Sequence, residues 1–89
     1  MKILVVNPVG TDMWDKKDKE YLQRFARKDT SINVLSLKEG PASLETFQSM
    51  MQVCPSIIEL VKKCKGKYDA IMVNCFGDPC VKAIREIVD

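Results

Sequence analysis

The stretch D-A-I-M-V-N-C-F-G-D-P-C, Asp69 to Cys80, decides the fold. Ala70 to Val73 is a short apolar run of the kind that is buried on both faces of a parallel sheet. Asn74 to Gly77 is a polar, glycine-bearing rim. Asp78-Pro79 then offers a helix cap followed by a first-turn proline, so a last helix is expected from there to Val88. A strand that passes through a tight loop straight into a helix is the repeating unit of an α/β domain.

Working outward, the same unit recurs. Ile3 to Val6 is a continuous, largely β-branched run that stops at Asn7-Pro8, which predicts a first buried strand. Trp14, Tyr21, Leu22, Phe25 and Ala26 return at helical spacing, predicting an amphipathic helix over 15–28. Ser31 to Leu37 alternates as a strand nearer a sheet edge, and Lys38 to Pro41 breaks it. Ser43 is the expected cap of a helix from Leu44 to about Val53, with an apolar face of Phe47, Met50, Met51 and Cys54. Pro55 opens a further helix that ends at Cys64, before Gly66.

The resulting order, β-α-β-α-β-α, predicts an α/β three-layer sandwich: a small parallel sheet with right-handed crossovers, flavodoxin-like or Rossmann-like. At 89 residues the chain is one domain, 1–89, with a modest core. Three strands are few for such a sheet. The pattern closes on a helix where a fourth strand is expected, which points to pairing with another chain or to a longer polypeptide.

Composition excludes several functions. Net charge is +2 and the lysines and arginines are dispersed among acids, so no nucleic-acid surface is predicted. No stretch approaches a membrane span, and M-K-I-L-V-V-N-P lacks the length of a signal-peptide core. A cytoplasmic location is expected, where Cys54, Cys64, Cys75 and Cys80 are thiols rather than disulfides. The absence of histidine removes Cys/His zinc sites and every Cys-His or Ser-His pair within one chain.

Ligands of open parallel sheets bind beyond the carboxyl ends of the strands, which here means three loops: 7–11, 38–43 and 74–79. The first has neither G-x-G-x-x-G nor a P-loop pattern. Cys75 carries two readings. Near the amino end of a helix it is favoured as thiolate by N–H groups and the helix dipole; as an unpaired cysteine at a strand end it is equally a small core residue. Cys80 is read as packing, with shielding or resolving Cys75 as alternatives. Cys54 and Cys64 are read as core, and Trp14 as a helix-entry staple, with an exposed recognition residue as the alternative.

Three ordered segments carry more than position. V-N-P-V-G-T, G-P-A-S-L-E and D-A-I-M-V-N-C-F-G-D-P resemble the N-terminal half of the aspartate/glutamate/hydantoin racemase superfamily, especially its hydantoin racemase branch, over essentially the whole chain. The resemblance implies half of a two-domain racemase that uses no cofactor, neither metal nor pyridoxal phosphate. In that family one cysteine from each domain faces the substrate, and the two exchange a proton at its α-carbon from opposite sides. Carried onto this chain, Cys75 is the catalytic cysteine. Asn7, Thr11, Ser43, Phe76 and Gly77 are substrate-binding, the last two through backbone N–H groups near a developing enolate oxygen. The implied substrate is a small molecule: an amino acid, a hydantoin or a related ureide. Val9-Gly10 replaces the branch's Asn-Thr, and Cys80 its glycine. The second cysteine must come from a C-terminal domain or from a homodimer partner; otherwise the chain is a non-catalytic ligand-binding or regulatory module.

Overall fold

The computed structural model describes residues 1–88. β1 (Lys2–Asn7), α1 (Asp15–Phe25), β2 (Ser31–Ser36), α2 (Phe47–Gln52), α3 (Cys54–Cys64), β3 (Ala70–Val73) and α4 (Val81–Ile87) follow in that order. The sheet has order β2-β1-β3, with β1 parallel to both neighbours. The most apolar strand is thus central, and β2 lies at an edge as its alternation predicts.

β1 divides its side chains between the two faces. Leu4 and Val6 pack with Cys64, Leu60 and Ile71, next to a cluster of Leu37, Val53, Ile57, Val61 and Ile84. That side is covered by α3 and α4. Ile3 and Val5 turn the other way, toward Leu22 and Phe25 of α1. The result is the expected three-layer α/β sandwich. Leu4, Val5, Val6, Ile57 and Val61 are the most deeply buried side chains, each contributing about 1.5–3 kcal/mol by leaving water.

Asp69 fixes where β3 begins: its N–H donates to the Lys2 carbonyl at 2.8 Å, and its carboxylate accepts the Lys2 N–H at 2.7 Å. This double bond to β1 sets the register that carries Asn74 and Cys75 to the carboxyl rim.

Helix boundaries depart from the sequence expectation in three places. α1 ends at Phe25 rather than Lys28. α2 is capped by Thr46, not Ser43: Thr46 and Ser49 satisfy each other's backbone N–H groups in a capping box, and Ser43 bonds Glu45 instead. α4 starts at Val81, with Cys80 at its N-cap position in the left-handed region (φ 63°), after Asp78, which also has positive φ (46°). The turn through 78–80 therefore precedes the helix rather than forming its first turn. The proposed apolar face of α2 is largely open, with Phe47 and Met51 exposed.

Cysteine pairing is a further correction. Cys54 and Cys80 form a disulfide, with Cα atoms 5.6 Å apart, while Cys64 and Cys75 are free. The amino end of α3 and the left-handed turn before α4 meet here, a contact between residues 26 apart in sequence. Cys80 is thereby partnered with Cys54 and not with Cys75, and Cys54 is a cross-link rather than a simple core residue. Cys64 is buried as expected. Among the described residues no helix is long and apolar enough to cross a membrane.

Candidate active site

The three rim loops converge. Gly10 N–H donates to the Pro41 carbonyl at 2.9 Å and Leu37 N–H to the Val9 carbonyl at 2.9 Å, tying the loop after β1 to the loop after β2. A Cβ on Gly10 would overlap the Gly40 backbone, so this approach requires glycine. On the other side Asn74 N–H donates to the Val6 carbonyl at 2.9 Å, holding the β3 loop against β1.

Between these loops lies an open cavity of about 250 Å³ lined by Asn7, Trp14, Asp18, Ser43, Asn74 and Cys75, together with Pro8, Val9, Ala42 and Leu44. Cys75 is half-buried and free. Its N–H donates to the Val73 carbonyl at 3.1 Å and its carbonyl accepts the Asp78 N–H at 3.0 Å. The loop is thus a compact turn that presents the thiol at the rim. The amino end of α4 lies beyond the Asp78–Cys80 turn, farther along the chain than the sequence reading placed it.

Of the residues singled out from sequence, Asn7, Ser43 and Cys75 share the cavity wall; Thr11, Phe76 and Gly77 are outside it. Thr11 accepts the Met13 N–H through Oγ1 at 3.3 Å. The Phe76 ring projects fully into solvent. Gly77 packs under Met50: a Cβ there would overlap the Met50 sulfur and lie 3.9 Å from Cys75 Sγ. A side chain at Gly77 would displace the end of the Met50 side chain, which packs here from α2 against the cysteine loop. Among the described residues, the Phe76 and Gly77 N–H groups have no hydrogen-bond acceptor.

Asn7 is only 5% exposed. Its Nδ2 donates to Asp15 Oδ1 at 2.9 Å and to Asp18 Oδ2 at 3.0 Å, and its Oδ1 accepts from Asn74 Nδ2 at 2.9 Å. The side chain links the first turn of α1 to the end of β3. Asp15, Asp18 and Asn74 were not singled out from sequence. The available signal was two acids three residues apart in the first turn after a strand-end asparagine, a spacing that puts both on one helix face. Trp14 occupies the N-cap position of α1, is 42% exposed and lines the cavity, so it is a wall residue rather than a buried staple.

Comparison with known proteins gives one answer. The family model for Asp/Glu/Hydantoin racemase matches residues 3–89. A hydantoin racemase from Pseudomonas sp. (strain NS671) is 39% identical over 90 residues, which cover all of this chain and 36% of that protein. A hydantoin racemase from Paenarthrobacter aurescens is 29% identical over 91 residues, covering all of this chain and 39% of that protein. The structure of allantoin racemase from Klebsiella pneumoniae superposes with a TM-score of 0.88 at 23% identity, over 97% of this chain and 36% of that one. The chain thus spans little more than a third of the length of these relatives. With the parallel sheet, the rim cysteine and a match over nearly every residue, the chain belongs to the Asp/Glu/hydantoin racemase family.

Proposed function

We propose that the chain forms one half of a cytoplasmic, cofactor-independent racemase, in which Cys75 exchanges a proton at the α-carbon of a small amino acid, hydantoin or related ureide. The observation that carries the reading is a free, half-buried thiol on the wall of the rim cavity, in a chain of this family.

As thiolate, Cys75 Sγ accepts the α-hydrogen as a proton. The C–H electron pair stays on carbon and delocalises into the adjacent carbonyl as an enolate. An acid on the opposite face returns a proton, and the configuration inverts. The Phe76 and Gly77 N–H groups are candidate donors to the enolate oxygen, which needs fixed donors where charge develops. Ser43 and the Asn7 segment bound the substrate's polar end; Thr11 acts through the shape of the first loop.

The second acid/base group has to come from outside this chain. Cys54 and Cys80 are bonded to each other and Cys64 is buried beneath the sheet, leaving Cys75 as the free cysteine at the rim. A second α/β domain or a second copy would supply the opposing thiol. The single rim cysteine also favours a second reading, a ligand-binding module without turnover. Incubation of 5-substituted hydantoins, aspartate and glutamate in D2O with the purified chain separates the two. Deuterium incorporation at the α-carbon, abolished in Cys75→Ala, supports proton transfer; ligand binding without exchange supports the binding module.

A further inference from the structure

The hydrogen bonds around Asn7 have a direction. A carboxylate only accepts, so the two groups facing Asp15 and Asp18 must be N–H donors; the Asn7 amide nitrogen, with two hydrogens, supplies both. Its oxygen is then turned toward β3, where it can be met only by a donor. Asn74 Nδ2 fills that role, which leaves Asn74 Oδ1 on the other side of its amide. Asn74 is exposed, lines the cavity beside Cys75, and its Oδ1 has no donor among the described residues. The alternative orientation of both amides would set the Asn7 oxygen against two carboxylates and forfeit two charge-assisted bonds, which are roughly twice as strong as neutral ones.

We propose that Asp15 and Asp18, acting through Asn7, hold the Asn74 amide so that its carbonyl oxygen is presented beside Cys75 as the acceptor for a ligand N–H. Asp15, Asp18 and Asn7 are positioning residues, and Asn74 is a specificity determinant. The inference rests on the racemase reading and deepens it. The ligand group read at this wall is an N–H next to the reacting carbon, and a carboxylate is disfavoured there by the acceptor oxygen and the nearby acids.

The test is a titration of the ¹⁵N-labelled chain with 5-benzylhydantoin and with its N1-methyl derivative, following the Cys75 backbone and Asn74 side-chain amide signals. The parent compound is expected to bind about fivefold tighter than the methylated one, the scale of one net hydrogen bond. In Asp15→Asn/Asp18→Asn, the amides lose their fixed polarity and the preference is expected to fall to within about twofold. Asn74→Ala, at an exposed position that folding tolerates, is expected to remove it as well. Equal binding of the two compounds by the unaltered chain overturns the inference and leaves the racemase reading standing, as does a preference unchanged in Asn74→Ala. No shift at Cys75 with either compound overturns the racemase reading together with the inference.

Discussion

Asn7 shows how a residue can be located by sequence while its partners are not. Its position after β1 places it at the rim, but its side chain is buried and its amide is fully engaged by Asp15, Asp18 and Asn74. A direct substrate contact through that side chain would require breaking this network. Its work is to join α1 to β3. Asn7→Ala leaves two carboxylates and an amide without their partner, and is expected to destabilise the chain by about 1–3 kcal/mol in urea unfolding. The position of Cys75 at the rim, in contrast, was legible because it depends on chain-local features: a strand end, a rim loop and the C-F-G-D-P segment. Asn7 depends on a partner 67 residues away, and no local pattern records that distance.

The lesson for the elements is similar. The sequence reading starts α2 after Ser43, whereas the helix is capped by Thr46, a residue type comparably favoured at that position. The reciprocal Thr46–Ser49 pairing decides between them, since it satisfies two backbone N–H groups at once. At α4, Asp78-Pro79 reads as a cap and first turn, but the positive φ values of Asp78 and Cys80 bend the chain before the helix begins. Thr46→Ala is expected to cost about 1 kcal/mol locally, which speeds amide exchange at Ser49 about fivefold while the β1 amides keep their protection. Strand positions were clearer than helix starts, because an apolar β-branched run has few competing readings and a cap has several.

At the scale of the molecule, the disulfide and the open apolar surface stand out. The Cys54–Cys80 link ties the α2–α3 junction to the turn before α4, beside the contact of Met50 with Gly77. Together they brace the loop that carries Cys75. Thiol titration of the denatured, unreduced chain is expected to count two free cysteines, Cys64 and Cys75, and four after reduction; a reducing cytoplasm would return Cys54 and Cys80 to thiols in contact. Phe25, Phe47, Met72 and Phe76 are exposed in a chain that spans just over a third of its relatives' length.

By itself the sequence determined the parallel α/β order, the edge place of β2, the rim loops and the position of Cys75 on one of them, because hydrophobic runs, helical spacing and a short ordered motif are properties of neighbouring residues. Tertiary structure decided the rest: that Cys80 meets Cys54, that Gly10 is required for close approach to Gly40, and that Asn7 bridges Asp15 and Asp18 to Asn74. Each of these is a contact between segments distant along the chain. Its partners are chosen by strand register and layer packing, which become definite only when the sheet is assembled.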